Sequence, residues 1–470
     1  MLRVNLPREA DIERLGDGVC ALLENVGAMF QNQEMLRALE AFGAVVDHSA
    51  QLARFPRPLV NEFLAAIRRQ SAQRAGTPVS AFSPPGLPAL STQIAQFSYD
   101  FDQQQRRPGN RGDFIEFVKL GDVLHSRAGV GHCLLLTDVP PMLEPLEALL
   151  LLAEYAHHPG PAFAWNVRQA DYLSEMGHIL RVPDPLTLGA VCIAHPLRFD
   201  REVADRYVRM LREGHAAGLC AMPVAGLTTP ITVEGFIVVA SAELVASWMV
   251  GRALNPQVSL GGSMWAGTSD MRTGHVSFSA FDALFYGLAA VQFLEQWCGV
   301  TVVVGGGEYC DAKWPGLYAA LEKAYKAMTI AAFTGQHPEV GQGMLDSGKV
   351  LSDVQLLVER DLGLGVQQYA REIAPDAESI GLSTILEIGI GGQAEYLRAE
   401  HTAHHLRRSL WLPKLLSRTG WSGFEEEARL LRRARERAKS LVAQYRRPEG
   451  REEQLSRARA VLERARRELV

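Results

Sequence analysis

Apolar residues fall at two spacings along this chain, and the change between them divides it. From about residue 8 to 75 they recur at helical intervals, through Ile12 and Leu15 and again through Phe63, Leu64 and Ile67. Residues 1–77 are therefore expected to form an N-terminal helical cap. From about residue 78 the pattern becomes short apolar runs ending in Gly, Pro, Asp or Asn, at 79–82, 133–138, 162–166, 190–195, 219–223, 258–263, 301–305 and 385–389. Between them lie helix candidates at 143–157, 201–216, 235–252, 280–298 and 315–333. Near-continuous apolar runs suit parallel strands buried on both faces. Eight such units alternating with helices predict an α/β fold, a TIM-type (β/α)8 barrel over residues 78–420. The long interval between the seventh and eighth runs leaves room for extra helices.

After Trp421 the composition shifts to Arg, Glu and Ala, interrupted at Arg446-Arg447-Pro448-Glu449-Gly450. Residues 421–470 are expected to be a C-terminal extension of two charged, exposed helices, their mixed charge suiting a solvated face more than a partner surface. Over the whole chain, 47% of the 470 residues are apolar, 21% are charged and the net charge is -5. That balance gives no electrostatic reason to expect nucleic acid or a membrane surface as partner. The six cysteines are scattered without a C-x-x-C pair, which predicts free thiols in a reducing compartment. No signal peptide opens the chain and no run of about 18 apolar residues suggests a span, so the expected location is the cytoplasm.

In a barrel, chemistry gathers where strands end. The residues expected there are Asp138, Asn166, His195, Ser263, Glu308 and the Gly391-Gly392 turn, with Phe97, Tyr99, Trp165, Tyr172, Trp265, Phe278, Tyr309 and Trp314 around them. Aromatic faces with one or two carboxylates suit a quaternary ammonium, which offers no N–H and is held by ring quadrupoles and charge. Each ring contact is worth about 0.5–2 kcal/mol, so several must converge. Trp165, Asn166, Trp265, Phe278, Tyr309 and Tyr99 are the candidates for such a pocket. Asp270-Met271-Arg272-Thr273-Gly274 follows the sixth run. Its Asp and Arg either pair with each other to hold the loop or point separately at a cation and a carboxylate. Gly305-Gly306-Gly307 allows close approach of a bulky flat ligand, and the absence of G-K-[ST] argues against phosphate. His401, His404 and His405 beside Glu400 lack H-E-x-x-H and an evident third ligand, so no metal is expected. No G-x-S-x-G elbow and no G-x-G-x-x-G with a ribose-binding acid supports hydrolysis or nicotinamide chemistry.

One resemblance gathers these features. Ile388-Gly389-Ile390-Gly391-Gly392, then Glu400-His401-Thr402-Ala403-His404-His405-Leu406-Arg407, then Leu410-Trp411-Leu412-Pro413-Lys414-Leu415 and Arg418, closely resemble the trimethylamine methyltransferase (MttB) family. Further matching blocks are Leu23–Phe30, Leu39–Asp47, Arg106-Arg107-Pro108, Leu120-Gly121-Asp122, Pro196–Asp200, Ala225–Thr232, Asp270–Gly274, Asp311-Ala312-Lys313 and Gly343–Gly348, all in family order. The resemblance implies a TIM-barrel enzyme that moves a methyl group from a methylated amine to a Co(I) corrinoid held by a separate small protein. The D-x-H-x-x-G cobalt-ligating signature is missing, since Asp122-Val123-Leu124-His125 has the wrong spacing. The corrinoid would thus arrive with its partner, meeting Gly306, Gly391, Gly392 and His401 and bound by no covalent link. The trimethylamine-specific members carry pyrrolysine and this sequence has none. The implied donor is then a quaternary amine, glycine betaine or a similar compound, which is already cationic and leaves as a neutral tertiary amine. Asp270, Arg272, Glu308 and His195 are the candidates for the catalytic machinery, with Arg272 or His195 able to hold a substrate carboxylate. A homo-oligomer is expected. The competing reading is a relative that binds a betaine or a corrinoid protein without turnover.

Overall fold

The computed structural model describes residues 6–74, 90, 94–125, 128–188, 191–305, 308–336, 340–370, 373–390, 395–421 and 423–470. The expected first strand at 79–82, and Gly306, Gly391 and Gly392, lie outside the described residues.

The N-terminal region is not wholly helical. Helices Glu9–Asn25, Gln33–Phe42 and Arg57–Arg74 alternate with strands Ala28–Phe30, Val45–Asp47 and Leu52–Arg54. The middle helix starts where Asn32 Oδ1 accepts from Met35 N at 3.0 Å and stops at Gly43, whose φ of 107° ends it. The strands join Arg198–Phe199 in one sheet, in the order 45–47, 52–54, 28–30, 198–199. Phe30 stacks on Phe199 with ring centroids 4.6 Å apart, so the region is tied into the body. Three-residue strands were invisible as periodicity because each is shorter than one pattern repeat.

The body is a mixed helix and strand fold. Parallel contacts succeed one another along it: Leu90 with Val130, Val130 with Pro159, and Ala162–Phe163 with Leu186–Thr187. Ser263–Met264 then lies between Cys220–Ala221 and Val303–Val304, and Val350–Leu351 returns to Phe97–Ser98. Among the described residues these strands form separate small sheets rather than one closed ladder. The helices between them are Glu144–Tyr155, Arg201–Arg212, Val233–Leu254, Phe281–Cys298 and Leu317–Thr334, close to the intervals read from periodicity. Val233–Leu254 is long and apolar enough to cross a membrane, contrary to the sequence reading, but it is largely buried against Glu9–Asn25, Gln33–Phe42 and Phe281–Cys298. It is a core helix.

The expected eighth strand at 385–389 is instead the helix Leu382–Ile388, bounded by left-handed Gly381 and by Gly389 with a φ of 57°. No residue of it is buried, and Leu386 is 72% exposed. Leu382, Ile385 and Leu386 fit a helix stripe as well as a strand, the ambiguity inherent in a short apolar run. Among the described residues, the strands after Leu317–Thr334 are the pair Met344–Leu345 and Val350–Leu351.

The C-terminal helices Glu426–Ala443 and Glu452–Leu469 are both present, but they are part of the core rather than a solvated appendage. Leu430, Ala434, Ala438 and Leu441 on the first, and Leu455, Ala458, Val461, Leu462 and Ala465 on the second, are buried. They cover Arg111–Leu124, Asp353–Val366, Glu144–Tyr155 and Val167–Leu180. Each fully buried Leu or Val contributes about 1.5–3 kcal/mol, enough to fix a helix whose outer face is charged. Arg451 caps this packing by donating to the carbonyls of Ala153 and Ala156, both at 2.8 Å.

Candidate functional site

Strand alternation builds the site. Val191, Ile193, Leu219, Ala221 and Met264 are buried, while Cys192, Cys220, Met222, Ser263 and Trp265 between them are only partly covered. That second face is the one left open. Trp265 meets Tyr309 edge-on, with centroids 4.6 Å apart and planes at 68°. Two glycines make room for these rings. A Cβ on Gly305 would stand 2.0 Å from Trp265 Nε1, and one on Gly348 would stand 2.3 Å from Tyr309 Cε1. Phe278 packs on Gly267, where a Cβ would come within 2.9 Å of its ring.

A buried lysine ties the loops together. Lys326, on Leu317–Thr334, donates from Nζ to the Tyr309 carbonyl at 2.9 Å, to Ser279 Oγ at 3.2 Å and to the Phe278 carbonyl at 3.3 Å. Burial pushes its pKa down to about 8, against the opposing pull of Glu308. Burial raises the Tyr309 phenol, and the neighbouring Glu308 carboxylate adds to the shift. Asp311 accepts from Ser277 Oγ and, at 3.2 Å, from Ser347 Oγ, while its own N–H donates to Glu322 at 2.9 Å. Trp265, Glu308 and Tyr309 thus share one neighbourhood, and Phe278 is linked to it through its backbone carbonyl.

The other expected residues are placed differently. Asp270 and Arg272 take the pairing alternative. The Arg272 Nε donates to Asp270 Oδ1 at 3.0 Å and Nη2 to Oδ2 at 2.9 Å, on an exposed hairpin turn. This pairing lowers the Asp270 pKa to about 2. His195 is 68% exposed and 3.7 Å from Asp200. Asn166 caps Val167–Leu180 through a capping box with Gln169, so its side chain is engaged by backbone. Trp165 Nε1 donates to Glu144 at 3.3 Å, next to the buried His132–Glu144 contact of 2.8 Å. Tyr99 lines a separate cleft of about 500 Å³ with Arg107, Asp113, Arg435 and Lys439, between the hairpin of Phe97–Asp100 and Gln105–Pro108 and the first C-terminal helix. His401 lies 3.0 Å from the Glu378 carbonyl, beside exposed His404 and buried His405.

Sequence reading missed Lys326 and the sulfur-bearing positions Cys192, Cys220 and Met222. A usable signal existed for the lysine: Glu322, Lys323 and Lys326 interrupt the inward stripe of Ala319, Ala327 and Ile330. Charges inside a buried stripe are rarely idle.

Comparison with known proteins agrees with the whole length of the chain. The family model for trimethylamine methyltransferase (MTTB) matches residues 2–469. Glycine betaine methyltransferase of Desulfitobacterium hafniense (strain Y51) is 21% identical over 454 residues, covering 94% of this chain and 93% of that protein. The proline betaine:corrinoid methyltransferase of Eubacterium limosum is also 21% identical, over 460 residues and 93% of both chains. Trimethylamine methyltransferase MttB of Methanosarcina thermophila is 23% identical over 257 residues, 53% of this chain and 51% of its own. With a full-length match of this kind, the chain belongs to the trimethylamine methyltransferase family.

Proposed function

We propose that this chain takes a methyl group from a quaternary amine, glycine betaine or a similar betaine, and passes it to the Co(I) corrinoid of a separate small protein. The observation that carries the reading is the edge-on meeting of Trp265 and Tyr309 beside the Glu308 carboxylate. An onium nitrogen can be held only by ring faces and negative charge, at about 0.5–2 kcal/mol per ring, and here two rings meet next to a carboxylate. The two relatives matched over 93% of their length carry betaines in their names, which favours the same donor class.

The corrinoid is the acceptor, supplying the nucleophilic cobalt from its own protein. Leu227, Ile231, Met271, Phe281 and Trp314 are large, apolar and exposed, which suits a broad apolar ring brought by a partner. This chain's share is orientation and exclusion of water. Trp265 and Tyr309, seated on glycine, fix the onium's direction, and Glu308 balances its charge. A quaternary donor leaves as a neutral tertiary amine, so no acid is required and no pyrrolysine is needed.

We also infer that the parallel pairs belong to one barrel-like ring; the return of Val350–Leu351 to Phe97–Ser98 supports this, since it brings the end of the series to its beginning. Exposed Leu382, Leu386 and Leu397 support self-association.

The test is demethylation of a betaine panel by the purified chain with its corrinoid protein and reduced cobalt. Dimethylglycine from glycine betaine, or the corresponding tertiary amine from a close analogue, is expected only when both proteins are present. Replacing Trp265 or Tyr309 with Leu should lower kcat/KM about tenfold or more, the equivalent of about 1.4 kcal/mol. Tight binding of one betaine with no tertiary amine from any would make the chain a binder rather than a catalyst.

A further inference from the structure

We propose that Cys192, Cys220 and Met222 form a binding site for a thiophilic metal ion on the open face of the central strands. This goes beyond methyl transfer and does not depend on it. Six cysteines are free, and four of them, Cys20, Cys133, Cys298 and Cys310, are buried. Cys192 and Cys220 are the two that remain partly exposed, and their segments run side by side: the backbone of Cys220 donates to the Val191 carbonyl at 3.0 Å. Cys192 Sγ lies 3.7 Å from Met222 Sδ. Two sulfurs bound to one tetrahedral ion at about 2.3 Å stand about 3.8 Å apart, so this pair already has the spacing of a shared ligand set.

The chemistry of the set is selective. Two thiolates and a thioether are soft donors, which favour zinc or monovalent copper over magnesium or calcium. Binding replaces each S–H bond with an S–metal bond and releases two protons to solvent. Two thiolates neutralise a divalent ion, so its presence would not repel a cationic ligand at Trp265 and Tyr309. A thioether beside the pair is what distinguishes a metal site from a simple oxidisable dithiol, because disulfide formation has no use for it.

The rival cluster is Glu378, His404 and His405, whose candidate ligand atoms lie within 4.8 Å of one another. Arg408 donates to His405 Nδ1 at 3.0 and 2.6 Å, which places the remaining proton on Nε2, the atom facing Glu378. A protonated nitrogen next to a guanidinium does not bind a cation.

The experiment is an anaerobic titration of the reduced, chelator-stripped chain with Co2+, followed by displacement with Zn2+. One equivalent should bind with thiolate-to-cobalt charge-transfer absorption, and thiol counting should show two cysteines protected. C192S and C220S should each weaken binding by more than about 100-fold, and M222L by about tenfold, while C20S changes nothing. Circular dichroism of each variant shows whether it is folded. The proposal is overturned if a folded C192S/C220S chain binds cobalt with undiminished affinity, or if the bound ion shows no sulfur charge transfer.

Discussion

Glu243 provides a quantitative test of the packing. It sits on Val233–Leu254 with only 4% of its surface exposed, and its carboxylate accepts the Leu197 N–H at 3.0 Å. Leu197 has a φ of 56°, a left-handed conformation that a leucine holds only when its surroundings fix it. Burial raises the Glu243 pKa from 4.5 to about 7, the Leu197 N–H offsetting part of the rise. Because the folded value lies above the unfolded one, the native state prefers the protonated acid. The stability from this group is whole below about 4.5 and is lost as pH climbs through about 7. Between pH 5 and pH 8 the loss is about 2.5 kcal/mol, at about 1.4 kcal/mol per unit. Glu243→Gln keeps an acceptor for Leu197 and removes the titration. Urea unfolding of both proteins across this range should show the variant gaining on the wild type by about that amount as pH rises. A difference that stays constant with pH would refute the reasoning.

Three further outcomes follow from the same geometry. Lys323→Met strips the partner from Glu359, a fully buried pair, and should cost about 3–5 kcal/mol in urea unfolding, with K323M/E359L recovering most of it. Asn166→Ala should cost about 1 kcal/mol of stability with an unchanged KM; a raised KM at unchanged stability would return Asn166 to the substrate site. Gly305→Ala should displace Trp265, raising KM for the quaternary amine about tenfold while the far-ultraviolet circular dichroism stays the same.

Long elements were legible because they repeat their pattern several times. Val233–Leu254 and Phe281–Cys298 gave helical spacing over four or more turns, whereas the two-residue strands at Met344–Leu345 and Val350–Leu351 gave none. The misassigned run at 385–389 shows the complementary failure. Ile385 and Leu386 are branched and apolar, yet they stay exposed, so composition alone pointed to a strand that packing did not supply. The C-terminal helices misled in the opposite sense. Their many arginines hid narrow stripes of Leu and Ala that seal the side of the body. In the site, the aromatic residues could be named from their type, but not their grouping, because Trp265 and Tyr309 meet across strands whose pairing is non-local.

Lys326 shows what such grouping adds. An ammonium close to an onium site opposes binding, yet this one is held where burial already favours its neutral form, with a pKa of about 8. Glu308 opposes that shift, and Lys323 and Glu322 act on it with opposite signs. A cationic ligand settling by Trp265 and Tyr309 should drive the proton off Lys326. Affinity for a betaine should therefore strengthen as pH rises through about 8, the direction in which Lys326 loses its charge. Lys326→Met removes both the charge and the links to Phe278, Ser279 and Tyr309, so it should bind more weakly at high pH but with a flat profile. Calorimetric titration of glycine betaine from pH 6.5 to 9.5 separates the two effects: the intercept reports the lost anchoring, and the slope reports the proton. Should the wild type and the methionine variant share one slope, the lysine only braces the loops, and the field at the rings is set by Glu308 without it.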